Sequence, residues 1–272
     1  MKPVNACSLC GGTRWITREI APPFRVVQCA CGLVFVTPQP EQHTLTAAYD
    51  REYYDAWRAQ ALQRRRLWSR RLGAVEALAA TPSRLLDVGC GTGELLRRAK
   101  KRGWEVIGTE ISPYACKMAE TEGLRVSEGE LWEAAFPAGS FDVVTCWHVL
   151  EHTREPKRLL GEAHRVLRPG GWLLLATPNL NDHFFRAIYP LVRGRRVRLF
   201  DPGDREIHLF HFSSQTLRAL VESAGFTVRT VGCDRGAAVV WPKSLLNTLA
   251  HLWYRLSGLN WGLGLEVAAW KP

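Results

Sequence analysis

The sequence predicts an α/β fold: a doubly wound parallel sheet with a small cysteine-rich unit ahead of it. Three observations lead there. Short apolar runs alternate with helix-like segments from residue 84 onward. The glycines of "DVGCGTG" stand where the first such strand gives way to a helix. Four of the eight cysteines crowd into residues 7–31. Short apolar strands spaced by helices argue a parallel sheet covered on both faces. With 272 residues, 46% hydrophobic and 23% charged, the chain can bury a core large enough for one domain and an appendage.

The elements follow in order. Residues 1–40 form the cysteine-rich, zinc-ribbon-like unit, closed by the Pro-rich "TPQPEQ". Residues 41–80 turn helical and carry Tyr49, Tyr53 and Tyr54 at near-helical spacing, as a lid over a cofactor or as a packed aromatic face; "TPSR" then breaks the helix. Residues 81–272 hold the main domain. In it "RLLDV", "WEVIGTE", "LRVSEG", "FDVVTCWHVL" and "GWLLLATPN" read as strands, with "GELLRRAKKR", "PYACKMAETEG" and "PKRLLGEAHRVLRPG" as helices between them. The last of these has Gly at its stop. Residues 181–212 break the rhythm as an insertion, where long connections tend to carry specificity. "SSQTLRALVESAGF" restarts it with a serine cap and a glycine stop, and "TVRTVG" follows as a strand. Residues 244–256 put Leu245, Leu249, Leu252, Trp253 and Leu256 on one helical face. That face is read as packed on the sheet, with shallow membrane docking as the alternative.

The net charge is +10 and the pI about 9.5. Much of the excess lies in "RRRLWSRR" (64–71) and "RGRRVR" (193–198). Such stretches serve nucleic acid, an anionic membrane or a phosphorylated substrate, or are simply solvated faces. No apolar run is long enough to cross a bilayer, and "MKPVNACSLCGG" lacks the apolar segment of a secretory signal. A cytoplasmic location is therefore expected, where paired cysteines favour a metal over disulfides. Cys7, Cys10, Cys29 and Cys31 are the expected ligands of one structural zinc, as four thiolates closing a tetrahedron.

The glycine loop selects its ligand by charge. A dinucleotide fingerprint would be G-x-G-x-x-G, but from Gly89 the third glycine position is Glu94. The loop reads instead as Asp87, Gly89, Gly91 and Gly93. Glycines let the backbone turn tightly and approach a ligand. A pyrophosphate beside Asp87 and Glu94 would be repelled. A ligand with a sulfonium, an ammonium and no phosphate suits the site, which points to S-adenosylmethionine. Glu110, ending the second strand, can accept from ribose hydroxyls. Glu130, after the third, can accept from an adenine amino group.

With these motifs in view, residues 85–176 resemble class I S-adenosylmethionine-dependent methyltransferases, through "LLDVGCGTG", "VIGTEIS", "FDVVTCWHVLEH" and "LRPGGWLLLATPN". "IHLFHFSSQTLRALVESAGF" resembles the small-molecule branch that includes ubiquinone-type O-methyltransferases. The resemblance implies a Rossmann-like seven-stranded sheet with an antiparallel last strand, for which "GLGLEVAAWK" (262–271) is the candidate. It implies that Asp87, Gly89, Gly91 and Gly93 line the methionine side. Glu110 and Ile111 would hold ribose and adenine, Glu130 and Leu131 would meet the adenine, and Trp147 and His148 would flank the sulfur side. Related proteins commonly space their second cysteine pair by two residues; here only Ala30 intervenes.

Methyl transfer from a sulfonium is an in-line displacement, so alignment and exclusion of water dominate. A base is needed only when the acceptor is a weak acid such as a hydroxyl. His152 and His208 are the candidates, weighed against plain capping or packing roles. Glu151 and His152 alone fall short of a metal site. The expected function is methylation of a small-molecule or glycan-type acceptor, at oxygen. The rivals are an RNA methyltransferase and a non-catalytic cofactor-binding scaffold; no Asn/Asp-Pro-Pro-Tyr motif supports the first, and the intact glycine loop argues against the second.

Overall fold

The structure is a computed structural model that describes residues 1–79, 81, 83–234, 236 and 243–272. Pro82 of the expected helix-breaking "TPSR" lies outside the described residues. The cysteine-bearing unit opens with β1 (Trp15–Ala21), β2 (Phe24–Cys29) and β3 (Val34–Thr37), an antiparallel meander. Three helices follow: α1 (Gln42–Ala47), α2 (Arg51–Ala59) and α3 (Ala61–Leu78). Asp50 caps α2, its carboxylate accepting from the Tyr53 amide.

The main domain alternates as the hydrophobic pattern requires. β4 (Arg84–Val88) leads to α4 (Glu94–Lys100), β5 (Glu105–Glu110) to α5 (Pro113–Thr121), and β6 (Val126–Glu128) to β7 (Phe141–Trp147). After α6 (Pro156–Val166) come β8 (Leu167–Pro178), α7 (His183–Arg193) and the two-residue β9 (Phe210–His211). α8 (Ser214–Ser223), β10 (Thr227–Cys233), α9 (Lys243–Ser257) and β11 (Gly264–Trp270) complete the order. The seven-stranded sheet runs β10-β11-β8-β7-β4-β5-β6, and β11 is antiparallel to both neighbours. The expected strand at 262–271 is therefore the one inserted against the direction of the rest. Strand order reverses at β4, which places the crevice beyond its carboxyl end. The serine start of α8 is a full capping box between Ser213 and Thr216.

Two expectations need correction. "LRPGG" does not stop a helix at glycine: α6 ends at Val166, and Leu167–Gly171 already belong to β8. The Gly170 amide bonds to the Lys271 carbonyl, so the outgoing antiparallel strand draws these residues into the sheet. The leucine face of 244–256 is not packed on the sheet. Leu245, Leu249, Leu252 and Leu256 are 51%, 46%, 51% and 86% exposed. α9 instead turns Asn247 and Ala250 inward, and the Asn247 amide donates to the Asp234 carbonyl.

The appendage is continuous with the domain. β3 pairs with β9 from the far end of the 181–212 insertion. Val27 and Phe35 of the small sheet, with Leu33 from the turn between β2 and β3, share one buried cluster with Leu86, Val144 and Leu175 of the large one. A second cluster fills the opposite face, joining Leu72 and Val75 of α3 to Leu95 and Leu96 of α4.

Candidate functional site

A cavity of about 1440 Å³ opens at the carboxyl ends of β4, β5 and β7, roofed by α2 and α3 and closed at its far side by residues 205–208. Pockets for single small ligands run to roughly 1,000 Å³, so there is room for a cofactor and an acceptor together.

The glycine loop forms one end. Gly89 has φ +66°, and a Cβ there would collide with the Val149 side chain. Gly91 has φ +54°, and a Cβ would press on the Tyr54 ring at 3.3 Å. Both positions need glycine for conformation and for close approach. Glu110 holds the loop from below. One carboxylate oxygen accepts from the Gly91 amide and the other from the Ser112 amide, each at 2.9 Å. Burial pushes its carboxyl up, and these amide bonds oppose that. Ile111, Glu130, Leu131, Trp147 and His148 all line the cavity as well. Glu130 is pushed up to about 7 by burial and the nearby Glu133 and Glu155.

Two of the expected cofactor residues lie behind the wall. Asp87 is buried beneath the loop, accepting from the Thr145 hydroxyl at 2.6 Å. Burial pushes it up to about 7, against the pull of Thr145 and Arg71. Gly93 caps α4 and packs on Leu124. Both shape the loop without lining the cavity.

The tyrosines roof this end. Tyr49, Tyr53 and Tyr54 line the cavity, and Tyr54 is buried over Gly91. The Tyr53 hydroxyl donates to Glu206 at 2.6 Å, and Arg205 pairs with Asp50 and Glu52. α2 is thereby latched across the mouth to the 181–212 insertion.

The other end gathers titratable groups from four separate segments. Glu151 is buried, and His148 Nδ1 stands 3.3 Å from its Oε1 at ion-pair distance. His148 Nε2 meets the buried Asp234 carboxylate at 3.0 Å. Burial alone would push His148 down, but these two carboxylates draw it up to about 9. It is therefore a cation at neutral pH. Burial likewise works to raise Glu151, yet His148 and the other histidines bring it down to about 2, an anion. Arg71, buried and 3.8 Å from Asp234, ends the chain of charges and stacks on Trp147 at 4.6 Å.

His152 Nδ1 lies 2.8 Å from the Ile207 carbonyl. A carbonyl only accepts, so Nδ1 carries the proton and Nε2 keeps its lone pair when the ring is neutral. His208 lies beside it, with ring centres 4.9 Å apart and ring planes tilted by 58°. Burial, then His152, pushes His208 down to about 4, so it is neutral at pH 7. The two expected base candidates thus come together although 55 residues lie between them in the sequence. Ligand atoms of Glu151, His152 and His208 all lie within 4.8 Å of one another. His208 supplies the third ligand that the sequence pair lacked, and the trio can hold either a shared proton or a divalent cation.

Asp234 and Arg71 were not singled out from the sequence. No local pattern marks them, because their role depends on β10 and α3 meeting over Trp147. Among the described residues, a sharper signal existed only for Glu151, which sits in "LEH" one residue before His152.

The cysteine cluster fits zinc. Sulfurs of Cys7 and Cys31 lie 3.6 Å apart, those of Cys10 and Cys29 3.5 Å apart, and all four fall within 4.8 Å. Zn–S bonds of about 2.3 Å in a tetrahedron require sulfurs about 3.8 Å apart. The short Cys29-Ala30-Cys31 spacing is accommodated by a turn in which the Gly32 amide bonds to the Cys29 carbonyl.

Comparison with known proteins agrees with this geometry. A family model for a methyltransferase domain matches residues 58–231. Ubiquinone biosynthesis O-methyltransferase of Leptothrix cholodnii is 31% identical over 144 residues, covering 50% of this chain and 60% of that protein. The Hahella chejuensis protein of the same name is 38% identical over 125 residues, covering 42% and 52%. The chain thus spans about half to 60% of the length of these two relatives. Demethylmenaquinone methyltransferase of Thermus thermophilus is 32% identical over 194 residues, covering 64% of this chain and 87% of that protein. In fold, a SAM-dependent methyltransferase from Thermotoga maritima superposes with a TM-score of 0.56 at 21% identity, over 84% of this chain and all of that one. With positive-φ glycines at the switch point, an acid under them and relatives of this kind, the chain belongs to the methyltransferase domain family.

Proposed function

We propose that the protein transfers a methyl group from S-adenosylmethionine to a hydroxyl of a small aromatic acceptor. Bound in the cavity, the cofactor supplies an electrophilic methyl on a cationic sulfur. Gly89 and Gly91 would let the backbone close on its methionine part, Glu110 and Ile111 would hold the ribose and adenine, and Glu130 and Leu131 would meet the adenine. Asp87 acts from behind the loop as a compensating carboxylate. Tyr49, Tyr53 and Tyr54 keep water out.

The observation that carries the acceptor side is His152, whose Nδ1 is tied to the Ile207 carbonyl at 2.8 Å while its ring lines the cavity. A phenolic hydroxyl has a pKa of about 10 and is protonated at neutral pH, so a base accelerates its attack. His152 Nε2 takes that proton; the anionic Glu151 steadies the imidazolium that results. His208 orients the acceptor oxygen. The names of the ubiquinone and menaquinone relatives support an aromatic, quinol-type acceptor over a glycan. In this reading residues 1–40 are a zinc-held support, 41–80 the lid and 181–212 the acceptor wall, and paired cysteines set for a metal and not for disulfides support a cytoplasmic setting. Among the described residues, no helix is long and apolar enough to cross a membrane.

The test is product formation, read as demethylated cofactor, with a panel of ortho-dihydroxylated benzenes. His152→Ala is expected to lower kcat about 10²–10⁴-fold while leaving calorimetric binding of S-adenosylmethionine unchanged. Unchanged kcat in that variant would remove His152 from the chemistry.

A further inference from the structure

We infer that α7 and α9 form a docking surface for an anionic lipid bilayer. α7 has no buried residue at all, and its Leu191 and Val192 are 85% and 73% exposed. α9 presents Leu245, Leu249, Leu252 and Leu256 to solvent, and Leu259 continues the face. The two helices touch, and they meet around Trp261, whose ring lies 5.4 Å from His183, 5.7 Å from Phe184 and 5.1 Å from Trp253. Such an extent of exposed apolar side chains on neighbouring helices is uncommon on a surface that meets only water.

Charge identifies what covers it. Residues 183–200 and 243–257 contain no aspartate or glutamate, whereas Arg193 stands exposed at the end of α7 and Arg195 and Arg196 just after it; Arg198, also exposed, pairs with Asp201 at 3.2 Å. Apolar side chains on two helices free of carboxylates, beside the exposed Arg193, Arg195 and Arg196, suit the boundary between acyl chains and anionic headgroups. A protein partner would need its own acidic, apolar complement; a bilayer supplies both properties at once. The surface is also continuous with the cavity. Asp182 and Phe185, at the start of α7, line the cavity that the same helix leads away from toward Leu191. An acceptor with an apolar tail would pass from the bilayer along α7 to His152. This last step rests on the proposed function; the docking itself does not.

The experiment is sedimentation of the full chain with vesicles, with no acceptor present. Vesicles of phosphatidylcholine carrying about a third phosphatidylglycerol are compared with phosphatidylcholine alone. Binding to the anionic vesicles is expected, weakened at high salt. Arg195→Glu/Arg196→Glu should lower the partition coefficient about 25-fold or more, from roughly five-fold per lost charge contact. Leu249→Glu/Leu252→Glu should abolish it, with the thermal midpoint and S-adenosylmethionine affinity unchanged because both leucines are exposed. Should the leucine variant misfold, the arginine variant alone decides. Failure of the wild type to sediment with either vesicle would overturn the inference. So would a wild-type dimer in solution that the leucine changes convert to monomer, since the face would then join two copies of the chain. Neither failure would touch methyl transfer, which is measured in free solution.

Discussion

The two ends of the cavity are made by opposite means. The cofactor end is local: strand, glycine loop and helix follow within Arg84–Lys100, and the next strand delivers Glu110 under the loop. The end proposed for the acceptor is assembled from afar: His148, Glu151 and His152 after β7, Ile207 and His208 from the insertion, Asp234 after β10 and Arg71 from α3. The cofactor end stands on a buried apolar core. The acceptor end is a chain of alternating charges whose members hold one another in place. A common cofactor can be held by one preformed local motif, while acceptor choice is left to parts that change without disturbing it.

The strongest way to break this contrast is at the small sheet. β3 carries β9, and the Leu209 and Phe210 amides bond to the Glu151 carbonyl, so the cysteine unit braces the acceptor end. A structural zinc contributes on the order of 10 kcal/mol to a small unit. Elemental analysis should find one zinc per chain, and its removal should lower the thermal midpoint sharply and silence transfer before cofactor binding fails. An unchanged midpoint in zinc-free protein would uncouple the two regions.

Next in size is the glycine loop. Gly89→Val forces a β-branched side chain into positive φ and against Val149. It should weaken S-adenosylmethionine binding by about 3 kcal/mol, roughly a hundredfold, as titration calorimetry would read. The acceptor-end charges should stay as they are.

The charge chain gives a pH signature. His148 has a folded pKa of about 9, above the ordinary value of about 6.5. Its contribution is therefore fully present below about pH 6.5 and is lost as pH rises through about 9. His148→Gln should cost about 2 kcal/mol near pH 6, and the deficit should shrink by about pH 10. A deficit independent of pH, followed by thermal unfolding, would mean that His148 is held by packing and not by Asp234 and Glu151. The smallest effect is expected at the exposed latch. Arg205→Ala should change cofactor affinity by about threefold or less, since exposed ion pairs hold little; a larger loss would make the latch a true gate.

Legibility from the sequence follows the same division. The order of strands and helices, the loop glycines, Glu110 and the four cysteines could be read because period, turn and spacing are local signals. His152 and His208 could be listed but not joined, since only the fold brings Ile207 beside His152. Asp234 and Arg71 gave no signal because a buried ion pair is marked by its partner, not by its neighbours in the chain. The leucines of α9 were misjudged for a related reason: an amphipathic period says that a face is apolar, not what it meets.

Titration of the wild-type protein with S-adenosylmethionine and, separately, with NAD bears most directly on the charge argument at the glycine loop. The account predicts saturable one-to-one binding of the sulfonium cofactor, weakened roughly a hundredfold in Gly89→Val, and no heat with the dinucleotide. Binding of NAD at that loop, or S-adenosylmethionine binding untouched by Gly89→Val, would contradict it.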